Sequence, residues 1–319
     1  MTVSKVKLIE IDSHHAGQRI DNFLLSKFSN VPKSRIYRAL RRGEVRVNKG
    51  RVKPVYRIQA GDLVRLPPLA DATRDSPSVG PSAQLIEQLE QHIIHEDEHL
   101  LVINKPVGIA VHSGTGDHLG VIEVFRASRE HQPFMELAHR IDKQTSGCLV
   151  IAKSRRALID VQQALHADHA QKDYVFLVKG QWRVSRHCVS HALEKQYHAS
   201  RGAKMVANNQ GKCAQTIVTT REIINNHSLM TGSLLTGRTH QIRVHVKQEG
   251  HPIAGDDRYG DYEYNRFMQT LGLKRMFLHA EYLKLPLAGL SQNVEFYAPL
   301  PAELDAVCNN IRKGAWHGR

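Results

Sequence analysis

One stretch of the chain, from Pro67 to Ser82, contains proline, serine, glycine and charged residues without any repeating apolar pattern. A segment of this composition has no face to bury against a core, and it is typical of an extended linker. The chain of 319 residues is also longer than one average domain requires. We therefore predict two folded units, over residues 16–68 and 84–319, joined by a linker over residues 69–83.

The N-terminal unit holds most of the positive charge of the chain. The whole chain has a formal net charge of +13, whereas residues 16–68 alone contain 13 Lys and Arg against 3 Asp and Glu. Such an excess favours a polyanionic partner, with nucleic acid before an anionic membrane. The sequence has neither an apolar run of spanning length nor a signal-peptide pattern, and we predict a cytoplasmic protein without a membrane partner.

Apolar spacing predicts the elements of this basic unit. Two helices are indicated by apolar residues three and four apart, which are Ile20, Phe23, Leu24 and Phe28 in the first helix and, after Pro32, Ile36 and Leu40 in the second. Beyond Gly43 the pattern has a period of two, and it predicts short strands around residues 45–47 and 63–66. The result is a small ααβ-type unit.

Basic side chains of this unit are candidates for contact with phosphates. Arg35, Arg38 and Arg42 are spaced three and four apart and share one face of the second helix. The full set of candidate RNA-binding residues is Arg19, Lys33, Arg35, Arg38, Arg42 and Arg46. The alternative is an ordinary solvated face, which charge alone does not exclude.

From about residue 84 the composition is that of a globular domain. Strands are predicted at 100–103, 149–152 and 173–178, and a helix is predicted at 157–167. The four cysteines, Cys148, Cys188, Cys213 and Cys308, form no CxxC pair, so we predict neither a disulfide framework nor a thiolate metal site.

A polar stretch from His139 to Gly147 leads directly into the apolar strand at 149–152. An acid in this position, Asp142, would be held rigidly beside the core, as catalysis requires. The alternative is an ordinary turn that Asp142 caps, with Arg140 as its ion-pair partner.

Three further stretches carry candidate functional residues. Between Gly237 and Gly250, Thr239 suits a helix N-cap, and on the predicted helix Arg243 could reach Asp142 and hold it ionised, or could be merely exposed. On the strand at 173–178, Tyr174 could stack on a base or lie in the core. Asn104 to Gly108, with Gly114 and Gly116 beyond it, resembles a phosphate loop, but Leu119 stands where a dinucleotide motif needs glycine and no Gly-Lys-Ser/Thr follows, so we predict no nucleotide cofactor.

These motifs together resemble a known family. Arg19-Ile-Asp, Lys33-Ser-Arg-Ile36 and Gly43-Glu-Val-Arg-Val-Asn48 resemble the S4 RNA-binding domain, and the polar stretches that follow resemble the RluA-type pseudouridine synthases. The resemblance covers nearly the whole chain. It implies an α+β fold, in which a small S4 domain of ααβ type precedes a larger catalytic domain built on a mixed, mainly antiparallel sheet.

The resemblance also implies roles for particular residues. Asp142 matches the catalytic aspartate, Arg140 the arginine that helps displace the target base, Tyr174 the tyrosine that packs on uracil, and Arg243 the arginine paired with the aspartate. Asn104 to Gly108 and the motif Phe277-Leu278-His279-Ala280 match further pocket segments, which makes Leu278 a supporting residue. The loop departs from the commoner family form at Ile141, Lys143 and Gln144, and we interpret these differences as tuning.

The implied activity is that of an RNA pseudouridine synthase, an isomerase that requires neither cofactor nor metal. Three motifs are similar to those of the subgroup that modifies several uridines of 23S ribosomal RNA. They are Val31-Pro-Lys-Ser34, Arg42-Gly-Glu-Val-Arg-Val-Asn48 and Asp256-Asp-Arg-Tyr-Gly-Asp261. We therefore expect a monomer that acts on this RNA or on a large-subunit precursor. The alternative is a non-catalytic S4-type RNA-binding or ribosome-assembly factor.

Overall fold

The computed structural model describes residues 6–13, 15–28, 31–68, 80–113, 119–167, 169–198, 202–287 and 292–314. The chain divides into two compact units, Met1–Gly80 and Pro81–Arg319. The predicted linker lies for the most part outside the described residues.

The first unit contains two helices and one small sheet. Its elements are β1 (Lys7–Glu10), α1 (Ile20–Lys27), α2 (Lys33–Arg42), β2 (Arg46–Val47), β3 (Gly50–Arg51) and β4 (Leu63–Leu66). The strands follow the order β1-β4-β2-β3 and are all antiparallel. Both predicted helices are confirmed, and Ile20, Leu24 and Ile36 lie in the core of the unit. Helix α2 ends at Gly43, whose left-handed φ of 68° suits a residue without a Cβ.

The second unit begins with α3 (Ala83–Glu90), β5 (Ile93–Glu96), β6 (Leu100–Lys105), α4 (Val121–Ser128), β7 (Glu136–Leu137), β8 (Ser146–Ala152), α5 (Arg155–Ala164) and β9 (Gln171–Lys179). It continues with β10 (Arg186–Ser190), β11 (Leu193–His198), β12 (Gly202–Ala207), β13 (Gln215–Ile224), β14 (His227–Leu234), α6 (Gln241–Gln248), α7 (Tyr262–Thr270), β15 (Leu278–Leu287), β16 (Gln292–Tyr297) and α8 (Ala302–Lys313). The strands predicted at 100–103, 149–152 and 173–178 are confirmed as parts of β6, β8 and β9.

A ten-stranded sheet organises this unit. Its main path is β10-β13-β14-β9-β15-β8-β6-β5, while β16 pairs with β15 and β7 pairs with β8. Among the described strand pairs only β8 and β15 are parallel, through His279 opposite Ser146 and Ala280 opposite Gly147. The sheet is therefore mixed and mainly antiparallel, as predicted.

A glycine allows β8 and β15 to approach each other closely. Gly147 has a φ of +114°, and a Cβ added there would lie 2.2 Å from the carbonyl oxygen of Ala280. No other residue type fits this backbone and this gap. The strand that follows the Asp142 loop is thus joined to the centre of the sheet.

Two helices pack near this junction. Leu158 and Val161 of α5 contact the core formed by β8 and β15. Ile242 and Val246 of α6 pack with Phe176 of β9. Val175 and Leu177 belong to a different core cluster, so side chains alternate between the two faces along β9. None of the helices in the described part of the chain is long and apolar enough to cross a membrane.

Candidate active site

The stretches that contain Asp142, Tyr174 and Arg243 meet around one cleft of about 880 Å³ in the second unit. Four cationic side chains line it, Arg140, Lys172, Arg238 and Arg243, together with one carboxylate, that of Asp142. A cleft with this balance of charge attracts a polyanion and presents a single acid to it.

Asp142 lies in the loop between β7 and β8, and its side chain is 23% exposed. The loop is anchored on both sides of this residue. Ile141 is buried in the core, and the carbonyl of Asp142 accepts a hydrogen bond from the Thr145 N–H at 3.0 Å. The next carbonyl, that of Lys143, accepts from the Gly108 N–H at 2.9 Å. The backbone therefore fixes the direction in which the carboxylate enters the cleft.

Arg243 brings a buried positive charge to Asp142. It lies on α6, and its Nη1 donates to Asp142 Oδ2 at 3.2 Å. Its Nε and Nη2 donate to the two carboxylate oxygens of Asp256, both at 2.8 Å. Burial alone would lower the pKa of Arg243, but the hydrogen bonds and charge of Asp256, with those of Asp142, raise it above its ordinary value. The arginine is thus a permanent cation.

Tyr174 and Leu278 form an apolar part of the cleft wall. Tyr174 is half-buried on β9, while Leu278 at the start of β15 is 4% exposed. Burial, together with the negative charge of Asp142, raises the pKa of the Tyr174 phenol well above its usual range. The phenol is therefore protonated at neutral pH and offers a ring face and a donor.

Arg140 does not pair with Asp142. Its side chain is exposed at the cleft, and it forms no ion pair with any other described residue. The alternative in which Asp142 and Arg140 merely stabilise a turn is therefore wrong, because the acid is paired with Arg243 instead.

Comparisons with known proteins agree with this geometry. A model of the RNA pseudouridylate synthase family matches residues 99–248, and a model of the S4 domain matches residues 18–64. The chain is 44% identical over 311 residues to ribosomal large subunit pseudouridine synthase C of Haemophilus influenzae, covering 97% of this chain and 96% of that protein. The chain belongs to the RNA pseudouridine synthase family. The protein of the same name from Escherichia coli K12 is 45% identical to this synthase over 309 residues, covering 96% and 97% of the two chains.

Solved structures extend the comparison to the fold of the synthase. Human RNA Pseudouridylate Synthase Domain Containing 1 superimposes with a TM-score of 0.57 at 28% identity, covering 71% of this chain and 89% of that one. Human RNA Pseudouridylate Synthase Domain Containing 4 has a TM-score of 0.59 at 23% identity, covering 72% and 96%, and shows the common fold alone. The predicted family, fold class and isomerase activity are thus confirmed.

Helix α6 of the synthase begins one residue later than Thr239 predicted. Its N-cap is His240, in a left-handed conformation with a φ of 55°. The His240 ring makes two contacts in this conformation, since its Nδ1 lies 2.8 Å from the Tyr259 hydroxyl and its Nε2 lies 3.7 Å from Asp142 Oδ2. Burial, with the charges of Arg243 and Arg258, lowers the pKa of His240. A neutral ring therefore borders the acid.

Sequence reasoning missed three residues that support the acid, namely Asp256, His240 and Tyr259. The carboxylate of Asp256 is 1% exposed, and the guanidinium carbon of Arg243 lies 4.9 Å from the centre of the Tyr259 ring. In the sequence, the motif from Asp256 to Asp261 indicates only the subgroup. No local pattern pairs Asp256 with an arginine 13 positions earlier.

Lys105 is a further buried basic side chain near the acid. It is fully buried, and its Nζ donates to the carbonyl oxygens of Pro106 at 2.7 Å, Ile109 at 2.9 Å and Lys143 at 3.3 Å. Burial, with the charge of Arg275, lowers the pKa of Lys105 to about 7. Within the described ranges no cluster of three His, Cys, Asp or Glu side chains is placed to hold a metal.

The candidate RNA-binding residues of the first unit fall into two groups. Arg19 donates to both oxygens of Asp21, at 3.1 and 2.6 Å, and Arg35 donates to Glu44 at 2.8 Å. Arg46 donates to the carbonyl of Gly43 at 3.2 Å. The members of the second group have exposed side chains that make no ion pair within the part of the chain the structure describes, and they are Lys33, Arg38 and Arg42.

Proposed function

We propose that this synthase converts several uridines of large-subunit ribosomal RNA to pseudouridine, with Asp142 as its catalytic residue. The relatives that support this substrate carry ribosomal large subunit pseudouridine synthase in their names and match nearly the full chain. The observation that carries the catalytic role is the contact of 3.2 Å between Asp142 and the buried Arg243 in the cleft.

The reaction breaks the bond between uridine N1 and C1′, turns the uracil, and joins C5 to C1′. Atoms and electrons balance within the nucleoside, because the C5 proton leaves as N1 gains one. Arg243 fixes the orientation of the Asp142 carboxylate, which acts near the ribose either as a nucleophile or as a base at C2′. Tyr174 packs on the uracil and, being protonated, can donate a hydrogen bond to it.

The target uridine must leave its stack before it can enter the cleft, at a cost of a few kcal/mol. Arg140 is exposed at the cleft and makes no ion pair within the described chain, so it is free to occupy the vacated position. The basic first unit supplies phosphate contacts that offset the cost. We assign RNA binding to residues 16–68 and catalysis to residues 84–319, in a cytoplasmic monomer whose substrate is 23S RNA or a large-subunit precursor.

The experiment is a tritium-release assay on unmodified 23S RNA labelled at uridine C5. Wild type should release tritium, and Asp142→Asn should release none while binding the RNA equally well. Asp305→Asn, the same substitution at an exposed position on α8, is the control and should behave as wild type. Binding without release by the wild type would instead favour the assembly-factor alternative.

A further inference from the structure

The lining of the cleft extends beyond the residues around Asp142. Its volume of about 880 Å³ is near the upper limit of the range of about 300 to 1,000 Å³ for pockets that hold one ligand of drug size, and its lining includes a far end formed by residues of α5 and the strand β15. The residues at the far end belong neither to the aspartate loop nor to α6. A second ligand group therefore has room beside the target nucleoside.

The wall on the α5 side is a stripe that continues from the helix into the turn after it. Ile159, Gln162 and Gln163 of α5 and His166 beyond its end line the cleft at positions i, i+3, i+4 and i+7. The three polar side chains are exposed, and Ile159 is 38% exposed although it is large and apolar. None of these side chains makes a hydrogen bond or ion pair with another residue in the described ranges. The stripe is thus a solvated surface at the cleft, and its polar groups are available to a ligand.

The opposite wall at this end provides a ring. Tyr282 and the buried Leu283 of β15 line the same cleft. Lys172 holds the end of the stripe in place, because its Nζ donates to the Leu165 carbonyl at 2.8 Å. Asp142 is the single acid of the cleft lining, and the Glu295 carboxylate, which is outside the lining, is hydrogen-bonded to the Tyr282 hydroxyl. The far end therefore combines an aromatic face, amide groups and positive charge.

We propose that this far end is a subsite for the nucleobase of a nucleotide that flanks the target uridine, with Gln162 and Gln163 contacting its edge and Tyr282 its face. Each glutamine amide offers both a donor and an acceptor, which is what a base edge requires. Single-stranded bases also stack readily on aromatic side chains. The flanking nucleotide is covalently joined to the target, so it reaches a continuation of the same cleft.

This subsite rests on the proposed function and selects among RNA sequences. Its test uses short RNAs taken from a mapped target of the wild type, labelled at C5 of that uridine, with each of the four bases at the preceding and at the following position. We expect wild type to distinguish the best from the worst base at one of these positions by about fivefold in kcat/KM, the effect of one net hydrogen bond.

The double variant Gln162→Ala/Gln163→Ala should reduce this preference to less than about twofold while still releasing tritium from every RNA. Alanine is the better helix former, so the substitutions do not threaten α5. Gln88→Ala, at an exposed position of α3 outside the cleft, is the matched control and should keep the wild-type preference.

A second pair of variants tests the ring. Tyr282→Leu should raise KM about tenfold, the effect of losing one stacked base, whereas Tyr282→Phe keeps the ring and should raise KM much less than Tyr282→Leu does. A wild type without base preference, or a double variant that retains the wild-type preference, would overturn the subsite alone. No tritium release by wild type from full-length 23S RNA labelled at uridine C5 would overturn the proposed function as well.

Discussion

Arg243 and Asp256 form a buried two-point ion pair, with both hydrogen bonds at 2.8 Å. Asp142 receives only the remaining Nη1 donor of the same guanidinium, at 3.2 Å. Asp256 therefore determines where the arginine lies, and the arginine in turn determines where the Asp142 carboxylate lies. The folding of the 256–259 turn and the orientation of the acid are linked through one side chain.

Asp256→Asn should destabilise the second unit by about 3–5 kcal/mol, because it leaves a buried guanidinium with one weaker partner. Tritium release should fall as well, since Arg243 would turn toward Asp142. Urea unfolding measures the loss of stability. Asp257→Asn is a stringent control, because the Asp257 carboxylate lies 3.9 Å from Arg243 Nη2 but is 86% exposed. Equal stability of the two variants would contradict the assigned role of Asp256.

His139 should make stability fall as the pH is lowered from 6.5 to 4. Burial, with the charge of Lys172, lowers the pKa of His139 from 6.5 to about 4. Above pH 6.5 the ring is neutral whether the chain is folded or unfolded, and it contributes nothing. Between these values only the unfolded chain binds the proton, so the free energy of unfolding decreases with falling pH.

The variant His139→Gln tests this contribution. It retains an acceptor for the Val150 N–H, which lies 3.1 Å from His139 Nε2, but it cannot titrate. Between pH 6.5 and 4 the free energy of unfolding of this variant should depend on pH less steeply than that of wild type, by up to about one bound proton. His131→Gln, at an exposed position, should leave the slope as it is. Identical slopes in all three proteins would show that His139 does not contribute.

Gly147→Ala should prevent stable folding of the second unit. The added methyl group would collide with the Ala280 carbonyl, and the left-handed backbone alone costs about 1–3 kcal/mol for a residue other than glycine. The yield of folded protein and its thermal midpoint are the measurements. Gly237→Ala provides the comparison, because a Cβ at this position meets no atom within 4 Å. The thermal midpoint of this variant should remain close to that of wild type.

Arg38→Ala/Arg42→Ala should weaken binding to a similar extent for RNAs of different sequence, because we expect these arginines to contact phosphates rather than bases. The logarithm of the binding constant should fall less steeply with the logarithm of salt concentration, by about one unit for each arginine that contacts a phosphate. Filter binding at several salt concentrations measures the slope. Arg19→Ala should change it little and should instead destabilise the first unit, because the Asp21 carboxylate that it pairs with is 1% exposed.

Local patterns in the sequence predicted two elements of the site. Thr239 as a possible N-cap and Gly250 beyond the last turn indicated the helix on which Arg243 could reach Asp142, and the residues at 173–178 indicated the strand that carries Tyr174. Both predictions depend on residues that are close together in the sequence. The pairing of Arg243 with Asp142 joins positions 101 residues apart, so the residues alone left it beside the alternative of an exposed arginine, and the family resemblance favoured the pairing.

The remaining contacts depend on how distant segments pack. Lys105 was visible as part of a pocket motif, but its bond to the Lys143 carbonyl spans 38 positions. Thr239 is the better capping residue, so the sequence predicts that His240 lies inside the helix. In the structure His240 is the N-cap and its ring is hydrogen-bonded to Tyr259, a contact that the propensities of the two residues do not predict.

The loop that carries Asp142 is bonded to its surroundings at successive points. Its carbonyls accept hydrogen bonds from Thr145, Gly108 and the Lys105 ammonium, and Gly147 then joins it to the central strands. Contacts of this kind favour one conformation of the segment. We therefore expect the shape of this end of the cleft to be set before RNA arrives, so that most of the conformational adjustment in recognition is made by the nucleic acid.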